Sequence, residues 1–131
     1  MRLLLDTHVV LWLTLTPAVL PASLRERLLD PATGLVISTA NLWEIAIKFH
    51  AGKLPEAAPL LNDVPGVLAV LGADLLNITP AHAIRAGALD WEHRDPFDRM
   101  LVAQALEEGI QLVTLDERIT AFAGAPIFSP A

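Results

Sequence analysis

Four carboxylates stand out for the chemistry they could share: Asp6 in RLLLDTHVV, Glu44 in STANLWEIAIK, Asp98 in HRDPFDRML and Asp116 in LVTLDERI. Brought together, they would repel one another and raise each other's pKa unless a cation lay among them. Oxygen donors without any cysteine suit Mg²⁺ or Mn²⁺ rather than zinc. Such an ion keeps bound water, which suits a site that hydrolyses its substrate. His8, His50, His82 and His93 show no HExxH or other paired-ligand spacing, so each is read as structural or incidental.

The elements that must position these acids alternate between short apolar runs and amphipathic stretches. RLLL (2–5), LVIS (35–38), LLNIT (75–79) and QLVT (111–114) read as strands, and PIF (126–128) as a short fifth candidate. Helices are expected over Val9–Leu15, over 22–29, and over ANLWEIAIKF with Ser38 or Thr39 as cap. Another is expected over 56–71 with an interruption at Pro65-Gly66, one opens at Pro80, and one spans FDRMLVAQALEE up to Gly109. Strands alternating with helices imply an α/β fold with a mostly parallel sheet covered on both faces. Ligands of such sheets bind beyond the carboxyl ends of the strands. Asp6 follows the first strand directly, Asp116 follows the fourth by two residues, and Glu44 and Asp98 lie in early helical turns that reach the same edge.

Each acid also has a plainer use. Asp6 and Asp116 fit helix caps, and Glu44 with Lys48 has the i, i+4 spacing of an exposed ion pair worth ~0.3–0.5 kcal/mol. In DPFD, Asp95 fits a cap, Pro96 the first helical position, and Asp98 the positive end of the helix dipole. Taken singly these uses suffice; they do not explain four acids from four segments at one edge.

The bulk properties set the frame. The chain has 131 residues, 53% of them hydrophobic, which fits one domain (1–131) with a sizeable core. The absence of cysteine excludes a thiolate nucleophile or a disulfide framework and fits the cytoplasm. The formal net charge of −6 argues against a protein that coats nucleic acid, though not against one that grips phosphates through metal ions. The leucine-rich start looks superficially like a signal peptide, but Asp6 and His8 interrupt it. No apolar run reaches the ~18–20 residues of a membrane span, so no membrane partner is expected.

LLLDTHVVLW, STANLWEIAIKFHAGKL, HRDPFDRMLVAQA and LVTLDERI, in that order, resemble the PIN-domain ribonucleases, especially the VapC-type toxins of toxin–antitoxin pairs. The resemblance covers about residues 2–118. It implies a three-layer α/β/α fold with a central, mostly parallel sheet of four to five strands. It also implies an endoribonuclease using one or two Mg²⁺ or Mn²⁺ ions, with a 5′-phosphate and a 3′-hydroxyl as products. By position the catalytic and metal-binding acids would be Asp6, Glu44, Asp98 and Asp116. Asp98 is favoured over Asp95 because an apolar helix follows it; Asp95 becomes cap or support. Thr114 matches a hydroxyl that orients the site, and Thr7 and Asn41 would help position water. Lys48, Arg94 and Arg99, near the acids in sequence, would contact RNA phosphate or balance charge. Expected partners are RNA, a small antitoxin protein and a second copy in a homodimer. Leu11, Trp12, Leu24 and Leu28 would pack as core or form the antitoxin groove.

The alternative within the fold is a non-catalytic PIN-like binding module, against which all four acids are intact. A haloacid-dehalogenase-like site would need an Asp at position 8, where His8 stands. A receiver-like phosphoacceptor would need an Asp after LVIS, where Thr39 stands.

Overall fold

The consecutive leucines of β1 (Arg2–Leu5) leave no polar side for water, so this strand belongs in the middle of a sheet covered on both faces. That is its place in the computed structural model, which describes residues 1–130. Four parallel strands lie in the order β3-β2-β1-β4, with β2 at Gly34–Ser38, β3 at Ala73–Leu76 and β4 at Gln111–Val113. Leu4 stands opposite both Val36 of β2 and Leu112 of β4.

Alternation along the strands divides the core into two layers. Leu3, Leu5, Leu35, Ile37 and Val113 pack with residues of α1 (Thr7–Leu15), α2 (Ala22–Leu29), α3 (Thr39–His50) and α4 (Ala58–Asn62). Leu4, Val36 and Leu112 pack on the other face against Leu101, Val102 and Ala105 of α7 (Pro96–Glu108) and Ile119 of α8 (Glu117–Thr120). The result is the expected three-layer α/β/α arrangement. Leu3, Leu4 and Leu5 are fully buried, and each such side chain contributes ~1.5–3 kcal/mol. That gain offsets the cost of burying Asp6 directly behind them.

Several expectations need correction. β3 begins at Ala73, directly after the left-handed Gly72 that ends α5 (Val64–Leu71), and stops at Leu76 rather than running over 75–79. It is an edge strand, so weak strand formers such as Ala73 and Asp74 are held there by pairing with Leu35 and Val36. Thr79 is not a strand residue. It caps α6 (Pro80–Ala88) in a reciprocal pair with His82.

The single helix expected over 56–71 is a 3₁₀ turn (Pro55–Ala57) followed by α4 and α5. The break falls at Asp63, whose carboxylate accepts from the Gly66 amide, so Pro65-Gly66 opens a helix instead of interrupting one. The fifth strand at 126–128 reduces to an isolated bridge between Leu112 and Ile127. α1 starts at Thr7, two residues early, because Asp6 caps it. Leu11, Leu24 and Leu28 are core residues with Trp12 packed on them, so the proposed antitoxin groove is filled by the protein's own packing.

Among the described residues, no helix is long and apolar enough to cross a membrane.

Candidate active site

The sheet order changes direction between β1 and β4, the strand neighbours that are furthest apart in sequence. In parallel α/β sheets this is where a crevice opens. Asp6 stands in that seam. Its amide donates to Val113 O at 2.9 Å, extending the β1–β4 pairing by one residue. Oδ1 accepts from the Thr7 amide at 2.7 Å, and Oδ2 accepts from the Thr114 hydroxyl at 2.7 Å. The cap and the site are therefore the same carboxylate, with one oxygen for each. Thr114 Oγ1 in turn accepts from the Asp116 amide at 3.1 Å, which ties the loop after β4 to the same point.

Asn41 provides the corresponding tie between β1 and β2. Ser38 and Asn41 form the reciprocal cap of α3, and Asn41 Nδ2 donates to Leu5 O and to Thr7 Oγ1, both at 3.1 Å. This fully buried amide fixes the start of α3 against the end of β1. One turn further along α3 lies Glu44, 6% exposed. Its Oε2 accepts from Lys48 Nζ at 2.8 Å, so the i, i+4 pair forms as expected, but with a buried carboxylate. Glu44 Oε1 is buried with no partner among the described residues. An unpartnered buried carboxylate oxygen is costly unless a cation meets it.

The DPFD turn separates its two acids cleanly. Asp95 caps α7, its Oδ1 accepting from the amides of Phe97 and Asp98 at 2.9 and 3.2 Å. Asp98 is buried and its Oδ2 lies 2.7 Å from His93 Nε2. Burial pushes the Asp98 carboxyl up to about 6, with the charges of Asp95 and Asp6 adding to the rise and His93 opposing it. Burial also raises Asp6, the Thr114 and Thr7 bonds oppose it, and the Glu44 charge adds to the rise. Asp6 thus feels Glu44, and Asp98 feels Asp6, as neighbours at one edge must.

Asp116 caps α8 and is bonded by Arg118, whose Nη2 and Nε reach its two oxygens at 2.9 and 3.3 Å. These bonds hold the Asp116 carboxyl below its ordinary range.

The four acids lie around the carboxyl ends of β1, β2 and β4, each held by a group of its own. They are not drawn to a common point. Among the described residues, the one group of three donors within 4.8 Å of one another is His93, Asp95 and Asp98. His93 is the functional candidate that spacing did not reveal. It precedes the α7 cap by two residues and folds back over the first turn of that helix, a contact made by the loop and not by helical periodicity. Arg118 was missed for a similar reason, being two residues beyond Asp116 across a cap.

Arg99 requires a correction. All five of its N–H groups are directed at backbone carbonyls of the end of α6 and the loop after it: Nε at Ala86, Nη1 at Trp91 and His93, Nη2 at Gly87 and Leu89. It has no donor left for an RNA phosphate. Lys48 is committed to Glu44, whereas Arg94 is exposed beside the site.

The donor set fits a hard divalent cation: carboxylate oxygens, one of them buried and unpartnered, and buried acids whose ionised forms are disfavoured without a counter-charge.

The PIN domain family model matches residues 3–125. Ribonuclease VapC22 of Mycobacterium tuberculosis is 30% identical over 117 residues, covering 88% of each chain. Ribonuclease VapC16 of the same organism is 36% identical over 53 residues, 40% of this chain and 38% of that protein. In solved structures, the DNA-bound VapBC of Salmonella typhimurium superposes with a TM-score of 0.70 at 21% identity, over 100% of this chain and 99% of that one. VapBC2 of Rickettsia felis, bound to a DNA fragment from its promoter, superposes with a TM-score of 0.69 at 16% identity, covering 98% of each. A family match across nearly the whole length and a relative sharing 30% of its residues over 88% of each chain lead to one conclusion: this chain belongs to the PIN-domain family.

Proposed function

We propose that this single-domain protein is a Mg²⁺- or Mn²⁺-dependent endoribonuclease, the toxin of a toxin–antitoxin pair. The observation that carries the reading is the bonding of Asp6: a buried carboxylate at the β1–β4 seam, oriented on one oxygen by the α1 amide and on the other by Thr114. A core acid held this firmly beside Glu44 and Asp98 serves stability poorly. It serves a cation well. The names of the relatives, ribonucleases VapC22 and VapC16, supply the substrate class.

In this reading Asp6, Glu44, Asp98 and Asp116 would hold one or two ions, and the unpartnered oxygen of Glu44 supports its place among them. A bound divalent ion supplies a water acidic enough to act as hydroxide near neutral pH and a charge to offset that building on the phosphate. The chain's own residues do the positioning. Thr114 fixes the Asp6 carboxylate, Asn41 and Thr7 fix the mouth of α3, and Asp95 fixes the turn that presents Asp98. His93 holds Asp98, Lys48 holds Glu44, and Arg94 is an exposed cation available to RNA phosphate. The solved VapBC assemblies support a small antitoxin as partner, and we extend the reading to a homodimer acting in the cytoplasm, where its RNA would be.

The test is cleavage of single-stranded RNA with Mn²⁺ by wild type, Asp6→Asn and Asp98→Asn. Wild type is expected to cut and to stop on chelation, and both variants to lose at least ~10²-fold in rate while melting as cooperatively as wild type. Folded, Mn²⁺-supplemented wild type that leaves every RNA intact would refute the nuclease and leave a non-catalytic module.

A further inference from the structure

Beside the acids runs a cleft of about 650 Å³, lined by the segment Asp90–His93, by Arg118 and by Ala121–Ala123. Its size lies within the ~300–1,000 Å³ range of small-ligand sites. Trp91 and Phe122 line it and stack on each other, their ring centres 4.6 Å apart and their planes 3° from parallel, which makes an aromatic wall two rings thick with its inner faces covered. His93 leans on Trp91 at 4.9 Å and reaches Asp98, so the wall ends at the acid site itself. Arg118 stands at this junction. Its side chain is 65% exposed and, among the described residues, is held only by Asp116. An exposed pair of this kind is weakly held and exchanges readily.

We propose that this cleft is a nucleotide subsite next to the scissile bond, in which Arg118 binds the phosphate flanking the one that is cut and the Trp91–Phe122 wall packs against its base. The RNA ligand rests on the nuclease reading above. Aromatic walls take any base by its face, and base stacking of this kind is available only in single strands. Asp90 and Glu92, on the same lining, oppose a second phosphate and can accept from base amino groups. The cleft therefore suits one phosphate and one base better than a run of backbone. Arg118 is parked on Asp116 in the protein without ions; an ion taken up by Asp116 would free the guanidinium for RNA.

The test uses equilibrium binding of a short fluorescein-labelled single-stranded RNA to the full chain in EDTA, followed by anisotropy, so that no cleavage intervenes. Arg118→Met is expected to weaken binding about tenfold and to flatten the slope of log K against log salt by about 0.7, the value of one lost phosphate contact on a single strand. Arg118→Lys should keep that slope. Phe122→Leu should weaken binding severalfold with the slope unchanged. Asp116→Asn, which releases the guanidinium, should tighten binding about threefold, mostly through Arg118, so that the gain shrinks in an Arg118→Met background.

Arg118→Met with unchanged affinity and slope overturns the subsite. So does equal binding of the same RNA annealed to its complement. Arg118-dependent binding of an acidic peptide without Arg118-dependent binding of RNA would give the cleft to a protein partner and also overturn it. Because no divalent ion is present, these outcomes are separate from whether the acids support cleavage.

Discussion

Asp98 sits in the first turn of α7, 6% exposed and 2.7 Å from His93, with its carboxyl pushed up to about 6 by burial. The folded chain therefore holds this proton more tightly than the unfolded chain, where an Asp titrates near ~3.9. Stability from the proton is fully present below that lower value and is lost as the pH rises through about 6. Asp6, also raised by burial, acts in the same direction. Asp116 acts oppositely, but its carboxyl lies below the ordinary range, so its contribution is lost only in stronger acid. In EDTA the melting temperature should be higher at pH 5 than at pH 7.5. Asp98→Asn should reduce that difference and at pH 7 be about 1 kcal/mol more stable than wild type, the relief of one buried like-charge neighbour. A melting temperature that instead falls between pH 7.5 and pH 5 would contradict the burial of Asp98. Mn²⁺ affinity measured by calorimetry should run the other way and weaken below about pH 6, because proton and ion compete for the same oxygen.

The elements show where sequence patterns were sufficient and where tertiary contacts prevailed. β1, β2, β4 and α7 were legible because each is a compact apolar run with a clear cap or break: Asp6, Ser38, the Asp95-Pro96 pair and Gly109. The end of β3 was not, because Ala73 and Asp74 owe their extended form to pairing with β2 and not to their own preference. The role of Arg99 was hidden for a different reason. Its carbonyl partners span Ala86 to His93, the last turn of α6 and the loop after it, and no periodicity describes the path of that loop. Five N–H groups matched to five carbonyls make this arginine the buckle of the connection from α6 to α7, and the last carbonyl belongs to the histidine that holds Asp98. Arg99→Ala should cost about 2–4 kcal/mol in urea unfolding, since several carbonyls lose a charged donor at once. Arg99→Lys should recover little, because an ammonium cannot reproduce the planar fork. An Arg99→Lys protein as stable as wild type would mean that most of these bonds contribute nothing.

At the scale of the whole molecule, the acids come from segments near residues 6, 44, 98 and 116, and the sequence told which edge of the sheet they share but not how closely they approach. In the fold each carboxylate has a side-chain partner of its own, Thr114, Lys48, His93 or Arg118, while one oxygen of Glu44 has none among the described residues; a search for metal-ligand spacing finds none of these partners. An ion that bridges several of them should bind the folded chain alone and stabilise it by mass action. Mn²⁺ at about a hundred times its dissociation constant is expected to add about 2.7 kcal/mol to wild type, visible as a rise in melting temperature, and far less to Asp6→Asn. Equal rises in both would place the ion elsewhere. The hydrogen bond from Thr114 to Asp6 joins residues 108 positions apart. A ribosome making this protein delivers Asp6 108 residues ahead of the hydroxyl that orients it, so a polypeptide terminated between the two lacks the assembled centre, and any activity of that centre waits until the last strand has emerged.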